Sequence, residues 1–159
     1  MVLDFKPIEL SDKAWIDPLL RMGNFRGSEY TSSNNFIYRK LYHIEVARMN
    51  DYYLVRSGRD GQPRSYLFPS GSGDVKPVID ALSADAALRG EPLVMSGVTK
   101  ESAAALETLF PGRFTFEETR DHFDYIYESE KLITLSGKKL HSKRNFINRF
   151  QAEHEGGWS

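Results

Sequence analysis

The sequence predicts an α+β fold, with a mixed, mostly antiparallel sheet flanked by helices. Three strand-like runs, 44–49, 52–56 and 65–68, follow one another with short turns between them, which is typical of an antiparallel meander. A helical pattern and then a mostly apolar run at 92–97 come next, so a buried strand extends the same sheet. The 159 residues are 40% hydrophobic and 13% aromatic, which is enough to build one substantial core.

The chain begins with a short strand over 3–8. Ser11 is a suitable cap for a helix that follows, and Pro18 predicts a kink or a restart inside it. The polar run 32–35 offers caps for a second short helix that continues to Leu41. These elements precede the meander.

The turns of the meander are residues 50–51 and 59–63. The second contains Asp60-Gly61, a pair that adopts positive φ at low cost and is a strong hairpin signal. A helix over 75–88 follows, with apolar residues at helical spacing, and Gly90 ends it.

The C-terminal third predicts one helix, two strands and a last helix. Thr99 is a plausible cap for the helix that ends at Phe110. Aromatic residues alternate with polar ones at 114–116 and 123–127, which predicts two strands. The final helix, 138–152, is basic and amphipathic, and a tail follows it.

The composition excludes several classes of protein. The chain has no cysteine, so it has no disulfide framework, thiolate metal site or cysteine nucleophile. Its 21 basic and 22 acidic residues give a formal net charge of -1, which is not typical of a nucleic-acid coat protein. No apolar run approaches the roughly 20 residues of a membrane helix, and residues 1–10 do not form a signal peptide. The sequence therefore predicts a cytoplasmic protein.

The charges are unevenly distributed near the C-terminus. Six acids lie between residues 117 and 131, and five bases lie between residues 137 and 154. One interpretation is that the two surfaces neutralise each other. The other is that the basic helix meets a phosphate-bearing ligand.

A glycine-containing turn, Ser70, Gly71, Ser72 and Gly73, precedes the helix at 75–88. Glycines allow close backbone approach, and amide groups at a helix N-terminus attract anions. These four residues are the candidates for cofactor binding. The alternative is a structural turn in which Asp74 caps the helix, and the carboxylate of Asp74 would repel a phosphate.

The basic helix carries the second group of candidates, for phosphate binding or contact with another domain. Its cations lie beside an apolar row and suit the phosphates of a lipid, tRNA or a coenzyme. The alternative is a solvated basic face. The candidates are Lys138, Lys139, Lys143, Arg144 and Asn145.

His122 is flanked by Asp121 and Asp124, which suggests a base or half of a metal site, although a surface or structural histidine is favoured. The serines of the glycine turn lack the flanks of a nucleophile elbow. No catalytic residue is identified, and no metal site is predicted.

Four segments together resemble a bacterial family related to the C-terminal domain of phosphatidylglycerol lysyltransferase, long described as a domain of unknown function. The segments are 5–8, 66–74, 120–127 and 137–145. The last also resembles the Lys-x-Arg-x-Asn-Ile helix of Fem-type aminoacyl-tRNA-dependent transferases. Residues 68–73 resemble the coenzyme A-binding turn of Gcn5-related acyltransferases, Gln/Arg-x-x-Gly-x-Gly/Ala, with Phe68 at the leading polar position.

The resemblance implies a Gcn5-related N-acyltransferase-like fold and a tandem of two such domains. This chain matches the first half, with an acyltransferase-like domain at 1–136 and a basic linker helix and tail at 137–159. The implied donor is a coenzyme A thioester or an aminoacyl-tRNA, bound largely in the second half or between the halves. The implied partner is a second acyltransferase-like domain, or a homodimer partner that docks near Phe146, Phe150 and Trp158.

Three functions are consistent with these observations. The first is the N-terminal half of an aminoacyl or acyl transferase that is not catalytic alone. The second is a stand-alone acetyl-coenzyme A-dependent N-acyltransferase that uses the glycine turn. The third is a module that binds tRNA or anionic lipid through the basic helix.

Overall fold

The computed structural model describes residues 2–120, 123–154 and 157. The chain divides into two compact units, Met1–Glu118 and Thr119–Ser159. The predicted division into domains after residue 136 concerns a different boundary and stays a prediction.

The described part of the first unit contains one six-stranded sheet. Its strands are β1 (Lys6–Pro7), β2 (Glu45–Met49), β3 (Tyr52–Ser57), β4 (Ser65–Leu67), β5 (Ser70–Gly71) and β6 (Met95–Ser96). The order across the sheet is β1-β2-β3-β4-β6, and β5 also pairs with β3. All pairs are antiparallel except β4 with β6. The predicted α+β class and mostly antiparallel sheet are therefore confirmed.

Four α-helices accompany this sheet in the described residues: α1 (Lys13–Gly23), α2 (Ser32–Ile37), α3 (Lys76–Leu88) and α4 (Lys100–Leu109). The hydroxyl of Thr99 accepts a hydrogen bond from the Ser102 amide at 3.2 Å, which confirms the predicted cap of α4. The helix α1 continues through Pro18, so the restart that Pro18 predicted does not occur.

The core lies on both faces of the sheet because β3 alternates between them. Tyr52 and Leu54 belong to a cluster that includes the apolar residues of α3 and α4. Tyr53 and Val55 belong to a second cluster with Ile16 and other residues of α1. Successive side chains of a strand point to opposite faces, so the central strand is covered on both sides.

The second unit contains α5 (Ser129–Thr134), a 3-10 turn (Lys138–Leu140) and α6 (His141–Glu153). The basic helix was predicted correctly, whereas α5 was not predicted. The strands predicted at 114–116 and 123–127 are wrong, because neither segment has strand structure. Alternating aromatic and polar residues suit a strand with one buried face. A strand forms only where the backbone of a neighbouring strand pairs with it.

Candidate functional site

The parallel pair β4 and β6 is the place where a ligand crevice is expected in this sheet. The Tyr66 amide donates to Val94 O and the Phe68 amide donates to Ser96 O, both at 2.9 Å. In open α/β sheets, ligands bind beyond the carboxyl ends of parallel strands. Here those ends lie at Phe68 and Gly97.

The side chain of Tyr30 fills this position. Its hydroxyl lies 2.9 Å from the carbonyl oxygen of Gly97 and 3.2 Å from that of Phe68, so it contacts the end of each strand. The tyrosine is buried, and burial raises the pKa of its hydroxyl well above the usual range. The hydroxyl therefore stays protonated and serves as a hydrogen-bond donor to these carbonyls.

Two neighbours hold Tyr30 in place. The ring of Phe25 stacks on the Tyr30 ring, with centroids 4.4 Å apart, and meets the ring of Phe68 edge to face. Gly97 has a φ of 67°, and a Cβ at this position would lie 2.8 Å from the Tyr30 hydroxyl oxygen. Glycine at residue 97 therefore permits the close approach that closes the crevice.

The predicted glycine turn is built into the sheet. Gly71 pairs with Tyr52, and a Cβ at Gly71 would lie 1.9 Å from the carbonyl oxygen of Asp51. Ser70 is buried, and its hydroxyl donates to Leu19 O in α1 at 3.3 Å. The Ser72 amide donates to Asp51 O at 3.1 Å. Ser70 and Gly71 therefore join β3 to α1, while Ser72 and Gly73 are more open.

The N-terminus of α3 follows this turn, and it is less suited to bind an anion than an ordinary helix N-terminus. The Asp74 carboxylate accepts the Lys76 amide hydrogen at 2.9 Å, but Val75 and not Asp74 is the N-cap of α3, so the alternative interpretation placed the cap one residue too early. Pro77 occupies the next position and has no amide hydrogen. A carboxylate at the start of the helix also opposes a second negative charge there. Coenzyme A binding by Ser70, Gly71, Ser72 and Gly73 stays a prediction.

The predicted residues of the basic helix differ in their surroundings. Lys138, Lys139 and Lys143 are exposed. The guanidinium of Arg144 donates to the carbonyls of Leu135 and Gly137, the latter at 3.1 Å, so it ties α6 to the turn that follows α5. The side-chain amide nitrogen of Asn145 lies 3.3 Å from His141 Nε2.

The apolar residues of α6 are exposed as well. Phe146, Ile147 and Phe150 are all among the exposed large hydrophobic residues, and no residue that the structure describes in α5 or α6 is buried. The Arg149 guanidinium lies over the Phe146 ring at 5.6 Å. Within the second unit, α6 thus presents lysines and aromatic rings on its surface. Of the predicted docking residues, Trp158 lies outside the described part of the chain.

A charged cluster in the first unit surrounds Asp85. Its carboxylate accepts hydrogen bonds from Arg56 at 3.1 Å, from Arg89 at 2.6 Å and from the Tyr66 hydroxyl. Burial alone would raise the pKa of Asp85, but these hydrogen bonds and the charge of Arg56 outweigh it and lower that pKa below its usual range. Burial and Asp85 together raise the pKa of Tyr66 to about 12. The cluster fastens α3 to β3 and β4.

The proposed group around His122 falls partly outside the described residues, because Asp121 and His122 are not among them. Among the residues that are described, no three histidine, aspartate or glutamate side chains form a metal-binding group. No helix in the described ranges is long and apolar enough to cross a bilayer.

Sequence reasoning did not identify Tyr30 or Gly97. A tyrosine in a loop carries no distinctive pattern, so Tyr30 gave no signal. Gly97 did give one, because a glycine at the end of a predicted strand indicates close backbone approach, although the strand β6 that forms there is at the sheet edge and not buried.

Comparison with known proteins places the chain in a family. No curated protein matches the chain. A crystal structure of a conserved protein of unknown function from Bacteroides thetaiotaomicron VPI-5482 matches with 35% identity and a TM-score of 0.88. The match covers 98% of this chain and 52% of that one, so this chain spans about half the length of that relative. The family of the phosphatidylglycerol lysyltransferase C-terminal domain matches residues 21–156. The chain therefore belongs to the phosphatidylglycerol lysyltransferase C-terminal family, as its four sequence segments predicted.

Proposed function

We propose that this chain is the first half of an aminoacyl or acyl transferase and that it is not catalytic alone. The second half is an acyltransferase-like domain that binds the donor, a coenzyme A thioester or an aminoacyl-tRNA. The family and the length of the Bacteroides relative both support this proposal.

The closed crevice is the observation that carries the proposal. A donor that entered between β4 and β6 would have to displace the buried ring of Tyr30 and break its hydrogen bonds to Phe68 and Gly97. Removing a buried aromatic ring from its site costs about 3–5 kcal/mol, judged from truncation of such rings to alanine. A ligand would have to supply that energy in addition to its own binding cost, so the first unit is a poor donor site.

The surface of α6 supports a partner domain. Phe146 and Phe150 are exposed apolar residues on a helix that also carries Lys139 and Lys143. Exposed aromatic rings grouped on one helix are typical of an interaction surface. In the proposal this surface contacts the second acyltransferase-like domain, and a second copy of the chain would take its place in a homodimer.

Transfer of lysine tests the proposal directly. Purified chain is incubated with radiolabelled lysyl-tRNA and vesicles that contain phosphatidylglycerol, and the lipid fraction is analysed for lysine. We expect no lysyl lipid above a protein-free control. Lipid lysylation that depends on this chain would contradict the statement that it is inactive alone.

Coenzyme A distinguishes this proposal from a stand-alone N-acyltransferase. A ligand at 100 times its Kd stabilises the native state by about 2.7 kcal/mol, which raises the Tm of a chain of this size by roughly 5–10 °C. We expect no increase with coenzyme A or acetyl-coenzyme A. An increase that Asp74→Asn strengthens would favour the stand-alone enzyme, because Asp74 opposes a phosphate at the glycine turn.

Binding of tRNA or anionic lipid is the second candidate, supported by the exposure of Lys138, Lys139 and Lys143. Such binding weakens with salt because counterions are released from the polyanion. The variant Lys139→Ala with Lys143→Ala would then bind phosphatidylglycerol vesicles or tRNA more weakly than the wild type. Equal binding by both proteins would exclude this function for the helix.

A further inference from the structure

The turn that follows α2 and the loop between β3 and β4 form one surface within the first unit. The Gly58 amide donates to Tyr42 O at 2.8 Å, and the Arg64 side chain donates to His43 O at 2.9 Å. These hydrogen bonds hold the loop against the turn. We call residues 36–43 and 58–64 together the basic aromatic patch.

Contacts with aromatic rings orient the arginines of this patch. The guanidinium carbon of Arg39 lies 3.7 Å from the ring centroid of Phe36, and the Arg39 side chain donates to Phe36 O at 2.5 Å. The guanidinium carbon of Arg59 lies 5.0 Å from the ring centroid of Tyr42, and its side chain donates to the Tyr42 hydroxyl at 3.2 Å. Such contacts orient a guanidinium without cancelling its charge.

The patch carries an excess of positive charge. Its carboxylate is that of Asp60, which lies 3.0 Å from His43 Nε2. Four cations against this one carboxylate leave a net charge of +3 with His43 neutral. None of the four forms an ion pair with a carboxylate of any described residue. The four cations are Arg39, Lys40, Arg59 and Arg64.

Two further carboxylates lie beside the patch, and each is paired with an arginine outside it. Glu45 pairs with Arg56 at 2.8 Å. Glu91 pairs with Arg89 at 3.2 Å and also accepts the amide hydrogen of Arg64 at 3.4 Å. The exposed cations of the patch, Lys40 and Arg59, therefore face the solvent without a counter-charge of their own.

The patch also exposes apolar side chains directly beside these cations. Ile37 is 68% exposed, Leu41 54% and Tyr38 45%. The ring centroids of Tyr38 and Tyr42 lie 6.0 Å apart. A partner that fits this surface offers negative charge and an apolar environment at the same place.

We propose that the basic aromatic patch docks the first unit on an anionic lipid bilayer. The cations contact lipid phosphates, and Ile37 and Leu41 enter the boundary between headgroups and acyl chains. The tyrosines lie at the level of the headgroups, where amphipathic rings are favoured. This contact requires no catalysis, so it does not rest on the proposed transferase function.

The side chains of the patch favour a bilayer over single-stranded RNA. RNA-binding surfaces of this kind stack bases on open aromatic rings. Here the rings of Phe36 and Tyr42 already have a guanidinium over one face, and the most exposed apolar residues of the patch are the aliphatic Ile37 and Leu41. Aliphatic side chains enter a fluid bilayer without a complementary pocket, which a folded acidic protein would have to provide.

Cosedimentation of the full chain with lipid vesicles tests the proposal. We expect binding to vesicles of phosphatidylcholine with about 30% phosphatidylglycerol, and about tenfold weaker binding to phosphatidylcholine alone, because the cations require anionic headgroups. A chain that binds neither vesicle, or both equally, would overturn the proposal. Glycerol 3-phosphate at constant ionic strength is expected to leave vesicle binding unchanged. Release by this compound would show that the patch holds a soluble phosphate and would exclude the bilayer.

Two variants assign the contact to the patch. Lys40→Glu with Arg59→Glu is expected to bind the anionic vesicles at least about tenfold more weakly, because two cations become anions. Ile37→Ser with Leu41→Ser keeps the charge and is expected to bind about fivefold more weakly, because it removes the side chains that enter the bilayer. Wild-type binding by either variant would contradict the proposed contact.

Two matched controls lie elsewhere on the first unit. Arg21→Glu with Lys100→Glu makes the same change of charge, and Val2→Ser with Leu88→Ser removes apolar side chains that are 77% and 72% exposed. Both are expected to bind vesicles like the wild type, and circular dichroism verifies that every variant is folded. Controls that weaken binding as much as the patch variants would exclude a specific docking surface.

The variant Lys139→Ala with Lys143→Ala separates the patch from α6. We expect its remaining vesicle binding to depend on Lys40 and Arg59 as it does in the wild type. Loss of all binding in this variant, with normal binding by Lys40→Glu with Arg59→Glu, would assign the membrane contact to α6 and overturn the proposal. A chain that binds single-stranded RNA or an acidic protein through the patch, and no vesicle, would likewise exclude the bilayer. No lysyl-tRNA or coenzyme A is present, so the result is separate from that of the transfer assay.

Discussion

Gly71 lies against the backbone of Asp51 so closely that a Cβ at residue 71 would be 1.9 Å from the Asp51 carbonyl oxygen. The contact joins β5 to the turn between β2 and β3. The same Cβ would lie 2.8 Å from the Cα of Tyr52, so the obstacle is backbone and cannot rotate away. The glycine of this turn is required by the fold, whatever the turn binds.

The variant Gly71→Ala is expected to be destabilised by roughly 3 kcal/mol, because the methyl group forces the two backbone segments apart. Gly73→Ala is the control. A Cβ at Gly73 would have no other atom within 4 Å, and the φ there is 108°, so we expect a cost of about 1–2 kcal/mol from backbone strain alone. Urea denaturation measures both. Equal stability of the two variants would contradict the close contact.

The variant Tyr30→Phe keeps the stacked ring and removes the hydroxyl from the carbonyls of Phe68 and Gly97. We expect a loss of about 1–2 kcal/mol, which lowers the Tm by roughly 3–6 °C. Tyr125→Phe, at an exposed ring, is expected to leave the Tm unchanged. A Tyr30→Phe variant as stable as the wild type would show that the hydroxyl does not fasten the strand ends.

The Asp85 carboxylate predicts a dependence of stability on pH. The pKa of Asp85 in the folded protein is below its ordinary value of 3.8. The contribution of this carboxylate to the free energy of unfolding is therefore complete above about pH 3.8 and is lost as the pH falls through the native pKa. We expect the free energy of unfolding to fall more steeply below about pH 4 in the wild type than in Asp85→Asn.

At neutral pH, Asp85→Asn is expected to cost about 3 kcal/mol, because the partly buried Arg56 and Arg89 lose a counter-charge. Asp80→Asn removes a carboxylate from exposed ion pairs and is expected to cost less than about 1 kcal/mol. Parallel pH profiles of the wild type and Asp85→Asn would argue against this role for the carboxylate.

We expect Arg144 to stabilise the turn that precedes α6 within the second unit. Arg144→Ala removes the donor to the carbonyls of Leu135 and Gly137, so we expect faster hydrogen exchange at the start of α6. Lys143→Ala is the matched control, since Lys143 is exposed and is expected to leave exchange unchanged. If the two variants exchange alike, Arg144 does not hold the turn.

The meander and the helices other than α5 could be predicted because their signals are local. Asp60-Gly61 determines a hairpin turn in the sequence, and the structure has Gly61 at a φ of 74°. The pairing of Ser70 and Gly71 with β3 could not be predicted, because these residues look like a turn and their partner lies about 20 positions away. Residues 123–127 alternate between aromatic and polar side chains, as a strand does, but they do not form a strand. The sequence of these residues gives no sign that a partner strand is missing.

The candidate sites were predictable to different degrees. The exposure of Lys138, Lys139 and Lys143 follows from a basic helical face. The roles of Ser70 and Arg144 depend on contacts with Leu19 and Leu135, which are set by packing rather than by spacing. The closure of the crevice by Tyr30 is likewise a tertiary contact, with Gly97 as its one sequence signal.

The arrangement around β3 has a consequence for how the protein is made. β2 and β3 are joined by two residues, and Asn50 adopts the left-handed conformation with a φ of 53° that asparagine tolerates. Their ladder requires no residue beyond Ser57, and β4 and β5 pair with the other edge of β3. Chains fold from the N-terminal part first during synthesis, so the sheet can assemble on the ribosome while α5 and α6 are still to be translated.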